Sequence, residues 1–117
     1  MNPQTMTCDE CRDELARRAG WTFQSAFGNH WWRRVADGGD HEDSDAHPYP
    51  PTLDGAAGAL PEGYSFDMDV RPGEVRVAAW PAGCLVIDGL VASDAPDELT
   101  ARYRLALACV RAMEKTT

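Results

Sequence analysis

Residues 64–70 (YSFDMDV) alternate apolar and polar side chains without a break. In a strand this sends Tyr64, Phe66, Met68 and Val70 to one face and Ser65, Asp67 and Asp69 to the other. Pro72-Gly73 supplies the two central residues of a type II turn, and residues 74–80 return as the partner strand. A hairpin with one apolar and one acidic face constrains the fold strongly. It is not stable alone, so it must join an antiparallel sheet with a single layer packed on its apolar side. The short apolar run at 84–88 supplies a third strand.

The covering layer comes from helices. Asp94 and Pro96 announce a C-terminal helix, with Asp97 and Glu98 in its positive first turn. Leu99, Tyr103, Ala106, Leu107, Val110 and Met113 recur at helical spacing and read as a core stripe. Arg104, Arg111 and Lys115 line another face. Near the start, Thr7 and Glu10 match a capping box, and the helix they open runs to about Ala19, where Gly20 suits the left-handed residue that ends it. Thr52 caps a short helix through Leu60, with Leu53, Ala56, Ala57 and Leu60 on one face. Its Gly55 and Gly58 cost about 1 kcal/mol each against Ala, so it needs tertiary support; they also permit close backbone approach. Between the first two helices, residues 21–27 and 30–35 are β-rich and flank a Gly28-Asn29 turn. Residues 37–47 (DGGDHEDSDAH) read as a solvated acidic loop; they lack the Asp/Asn spacing, central Gly and distal Glu of an EF-hand. The expected fold is one α+β domain over residues 1–117: a small α-β-α sandwich with a mainly antiparallel sheet and N- and C-terminal helices.

Charge narrows the function classes. The chain of 117 residues has a net charge of −8. Residues 1–36 sum to +1, residues 37–69 to −9, and the remainder balances. The acidic middle opposes nucleic-acid binding, which needs a basic face to displace counterions. No apolar run approaches the roughly 20 residues that span a bilayer. Residues 1–10 lack the basic-then-apolar pattern of a secretory leader. The expectation is a cytoplasmic protein with no membrane or nucleic-acid partner.

Catalytic signatures are missing: there is no nucleophile elbow, Walker loop, dinucleotide fingerprint or HExxH. Asp67 and Asp69 share a strand face, yet acid–base work needs a cleft that separates their pKa values. Cys8 and Cys11 form a CxxC without a second pair or suitably spaced His. On the first helix they share a face with Leu15 and Ala19 and read as small core residues. The expectation is a protein that is no enzyme, with no cofactor and no metal. Trp31-Trp32-Arg33-Arg34 is more suggestive. One Trp of a strand faces in and the other out, and an outward indole beside Arg can stack on a base while Arg holds phosphate. The plainer reading is that such aromatics cover the edge of the core or form a homo-oligomer interface.

Residues 50–57 (PPTLDGAA), 60–66 (LPEGYSF), Trp80 and residues 101–113 (ARYRLALACVRAM) together resemble the small phage "ABA sandwich" proteins. The resemblance covers residues 48–113, and the opening helix ending in Gly20-Trp21 is also similar. Some proteins of this type are anti-defence sponges of the Thoeris-inhibitor kind, which hold cyclic ADP-ribose isomers or cyclic oligonucleotides as symmetric oligomers without cleaving them. The resemblance implies a cytoplasmic role in a bacterial host and a homo-oligomer that sequesters a cyclic nucleotide signal. The residues it would use are Trp31, Trp32 and Arg33 from the early strand, Arg76 and Trp80 from the hairpin, and Arg104 from the closing helix. The alternative is a protein-interaction module that inhibits or regulates a host factor through its acidic segment and exposed Trp residues.

Overall fold

The computed structural model describes residues 2–36, 38–81 and 90–115. A 3-10 turn at Pro3–Thr5 leads into α1 (Cys8–Arg18), then β1 (Trp21–Ala26), β2 (Asn29–Val35), β3 (His41–Ser44), α2 (Leu53–Ala59), β4 (Tyr64–Arg71), β5 (Glu74–Pro81), β6 (Val91–Ala95) and α3 (Glu98–Lys115). The strands form two antiparallel sheets, ordered β1-β2-β3 and β4-β5-β6. The fold is α+β, with helices at the N-terminus, the middle and the C-terminus. No helix of the described residues is long and apolar enough to cross a membrane.

Local signals build most of this. Thr7 Oγ1 accepts the Glu10 amide while Glu10 returns to the Thr7 amide, closing the capping box. Gly20 follows α1 at φ +96°, a conformation Gly adopts freely. Asp97 accepts the Thr100 amide at the start of α3.

α3 is the centre of the molecule, because it is apolar on two sides. Tyr103, Ala106 and Leu107 pack on Met6, Cys11 and Leu15 of the N-terminal region and on Ala56 and Ala59 of α2. Ala101, Leu105 and Cys109 pack on Val75, Val77 and Ala79 of β5 and Ala95 of β6. The layer order is therefore sheet β4-β5-β6, then α3, then α1 with α2. The outward face of that sheet carries Asp67, Asp69, Arg76 and Asp94, of which Asp69, Arg76 and Asp94 lie opposite one another. The expected core stripe is shorter than its periodicity: Met113 is exposed, because it lies on the last turns of the helix. Val70 and Phe66 are also exposed. β4 is an edge strand, and α3 covers only β5 and β6 fully.

Two expectations change in the first sheet. The turn is Phe27-Gly28, not Gly28-Asn29: Phe27 (φ 52°) and Gly28 (φ 79°) are the left-handed pair, and Ala26 faces Asn29. Gly is favoured at the second of the two left-handed positions, which forces Phe27 into the first. This register also sets Phe23 against Trp32, with ring centroids 5.2 Å apart. The acidic segment is not all loop. His41–Ser44 forms β3, because Asp43 and Glu42 lie opposite Arg33 and Arg34 and pair with them at 2.7 and 3.0 Å. The strand expected at 84–88 lies outside the described residues.

Candidate functional site

The six sequence candidates occupy three places. Trp31, Trp32 and Arg33 lie on β2. Trp32 is the inward residue, buried beneath Phe23 and His47, whose ring centroid lies 4.8 Å away. His47 Nδ1 accepts the Tyr49 amide, which leaves Nε2 to carry the proton toward Asp13 Oδ1 at 2.8 Å. Trp32 thus fastens the first sheet to α1. Trp31 is the outward, half-buried indole, and the Arg33 guanidinium sits 5.9 Å from its centroid. Arg33 also grips Asp43 through Nε and Nη2. That hydrogen bond raises the arginine pKa and lowers the aspartate's.

Arg76 and Trp80 share the outward face of β5. Arg76 lines an open groove of about 630 Å³ whose walls include Asp67, Asp69, Asp94 and Gln4, over a floor that includes Ala78. Its nearest partner is Glu74, 3.1 Å away, which raises its pKa. Carboxylates outnumber the single guanidinium here, so the groove does not concentrate the positive charge a pyrophosphate requires.

Arg104 has a third role. Its Nε donates to the Met6 carbonyl at 2.8 Å, and its Nη1 donates to the Asp94 carbonyl at 2.9 Å. It ties the N-terminal segment and the end of β6 to α3. Neither Arg104 nor Arg111 lies on a solvated basic face. Arg111 makes a two-pronged ion pair with Glu14, and the Lys115 side chain is outside the described residues. Cys8 is half-buried, while Cys11 and Cys109 are buried; burial pushes the latter two thiols up to about 12. Among the described residues no group of three or more His, Cys, Asp or Glu could hold a metal ion.

The sequence reading missed Phe23 and Phe27. Phe23 is 51% exposed on the face of the first sheet, stacked on His30 at 5.6 Å. Phe27 is fully exposed at the hairpin tip. Placing Gly28 second in the turn would have identified Phe27 as a tip residue. Trp21 on the same face lies under the Arg34 guanidinium at 4.8 Å. The first sheet is therefore an arm whose one face is an aromatic ladder and whose tip is a bare Phe.

Comparisons with protein-family profiles, with curated proteins and with solved structures find no match to this chain.

Proposed function

We propose that this chain is a non-catalytic protein-interaction module that contacts its target through the β1-β2 arm. Phe27 carries the reading. A non-Gly residue at positive φ costs folding free energy; the turn requires that conformation of Phe27, but its ring is fully exposed and buries nothing among the described residues. Behind the tip, Phe23 is half exposed on one face of the arm and Trp31 points outward on the other. Aromatic anchors that fill a pocket on a partner are the residues that dominate binding energy at interfaces. The partner surface that fits is an apolar pocket able to take a Phe ring. The partner in this reading is a host protein that the module inhibits or regulates.

The test is affinity capture with purified chain and with Phe27→Ser and Phe23→Ser variants. The reading expects a stoichiometric partner held by the wild type and released by Phe27→Ser, with the far-UV spectrum unchanged. A partner retained equally by both variants, or none captured by the wild type, would refute it.

A second reading, sequestration of a cyclic nucleotide by a homo-oligomer, is favoured by one observation. The Trp31–Arg33 pair presents an indole and a guanidinium side by side on an open sheet face. Calorimetry with cyclic ADP-ribose isomers and cyclic dinucleotides decides it. Heat that disappears in Trp31→Ala and Arg33→Ala, with no turnover of the nucleotide by chromatography, supports it. Silence with all of them excludes it.

A further inference from the structure

We infer that two copies of this chain pair along β1, antiparallel, about a two-fold axis at Phe23, joining their first sheets into one. The inference concerns the edge of the arm: it covers Phe23 but leaves the tip residue Phe27 free, and Phe27 carries the binding reading, so it goes beyond that reading.

The hairpin geometry fixes which backbone groups are spare. In a two-residue hairpin, the residues flanking the turn exchange both hydrogen bonds, and bonded and non-bonded pairs alternate from there. Ala26 faces Asn29, and the register runs without a bulge to Trp21 opposite Arg34. Ala26, Gln24 and Thr22 therefore bond to β2. The N–H and C=O groups of Trp21, Phe23 and Ser25 point away from it. β1 ends its sheet, and no backbone hydrogen bond of the described residues occupies that outer edge.

The other sheet edges are guarded. β3 carries His41, Glu42 and Asp43, and β4 carries Asp67, Asp69 and Arg71. At β6, the Gln4 side chain donates to the Ala92 carbonyl and to Ser93 Oγ. β1 (WTFQSA) has no charge and no Pro, so it lacks the usual devices that prevent edge pairing.

The symmetry of the segment selects a second copy as the occupant, and charge permits it. A chain of net −8 repels itself over most of its surface. Along β1 that repulsion is least, because the strand is uncharged and the neighbouring Arg33 and Arg34 are already paired with Asp43 and Glu42. The segment is also self-complementary. With the axis at Phe23, Trp21 faces the partner's Ser25 and Thr22 faces the partner's Gln24. The outward-pointing backbone groups then meet each other in register. The two Phe23 rings become a cross-strand aromatic pair, covering a side chain that is 51% exposed in the single chain.

Sedimentation velocity and amide hydrogen exchange on the full chain test this. The wild type is expected at twice 12.8 kDa. The amides of Trp21, Phe23 and Ser25 should be protected at high concentration and lose protection on dilution, while those of Thr22 and Gln24 stay protected throughout. Ser25→Pro removes an outward donor without touching β2, and Phe23→Asp sets like charges across the axis. Both should be monomeric with wild-type far-UV spectra. A wild type that stays at 12.8 kDa at every concentration overturns the inference. So does a dimer indifferent to both variants, or one whose β1 amides do not respond to dilution. If a variant fails to fold, the wild-type exchange pattern decides alone. Partner capture by a monomeric wild type would leave the binding reading intact while this one fails.

Discussion

The fate of each arginine depends on what lies opposite it in space. Arg104 donates to two backbone carbonyls far apart in sequence. Hydrogen bonds from a charged donor contribute about 1.5–3 kcal/mol each, discounted where solvent reaches them. Arg104→Met should therefore cost about 2 kcal/mol in urea unfolding, with no effect on ligand or partner affinity measured on folded protein. Glu14 shows the same principle for a carboxylate. The Arg111 hydrogen bond, and then that of Arg18, holds its pKa below the ordinary 4.5 against the opposing effect of burial. A depressed folded-state pKa contributes stability that is present above 4.5 and lost as pH falls through the folded value. Glu14→Gln should be less stable than wild type at neutral pH, and the gap should narrow below pH 4.5, as read by thermal melts across pH. The thiols of Cys11 and Cys109, raised to about 12 by burial, should resist a maleimide in the native state and react only in denaturant, as mass spectrometry would show. No feature of the local sequence announces these arginine roles. Arg33 meets Asp43 and Arg104 meets Met6 only after the chain has folded, so a reading that gathered them around a ligand had no way to see that backbone and carboxylates already hold them.

Elements whose signals are local were legible. The Thr7 capping box, the Thr52 cap, which accepts the Gly55 amide, and the Pro72-Gly73 hairpin all stand where their residues place them. β3 was not legible. HEDS buries no core and is held by ion pairs to β2, a non-local cause that alternation cannot reveal. α2 combines both situations. Its Gly55 sits so close to the 50–52 turn that a Cβ there would meet the Pro50 carbonyl oxygen at 2.5 Å and Tyr103 Oη at 2.9 Å. That same carbonyl accepts the Tyr103 hydroxyl at 2.5 Å and the Thr52 amide at 2.8 Å. Gly58 has open space around it. Gly55→Ala should destabilise by about 1–3 kcal/mol despite better helix propensity, whereas Gly58→Ala should stabilise by up to about 1 kcal/mol. Denaturant midpoints of the two variants, moving in opposite directions, check this.

At the scale of the molecule, the two sheets are unequal. The second is welded to α3 by Val75, Val77, Ala79 and Ala95. The first holds on through the chain leaving α1 and through Trp32, His47 and Asp13. Few buried apolar contacts mean a low free energy of local opening. Native-state hydrogen exchange should find β1–β3 opening at lower free energy than β5 and α3, and His47→Ala should widen that difference. Uniform protection across both sheets would contradict it. The charge blocks of the sequence are also resolved at this scale. The basic first third and the acidic middle meet strand to strand, so the segregation visible in the primary structure builds a sheet instead of a polar surface of one sign.

A bare aromatic at the end of a lightly attached arm has a consequence for how such a chain changes over time. The side chains that keep the body folded and those shown to the outside are separate sets. Positions such as Phe27 can be exchanged for another residue without opening a cavity, so natural variation can change the tip while the helices and second sheet stay as they are.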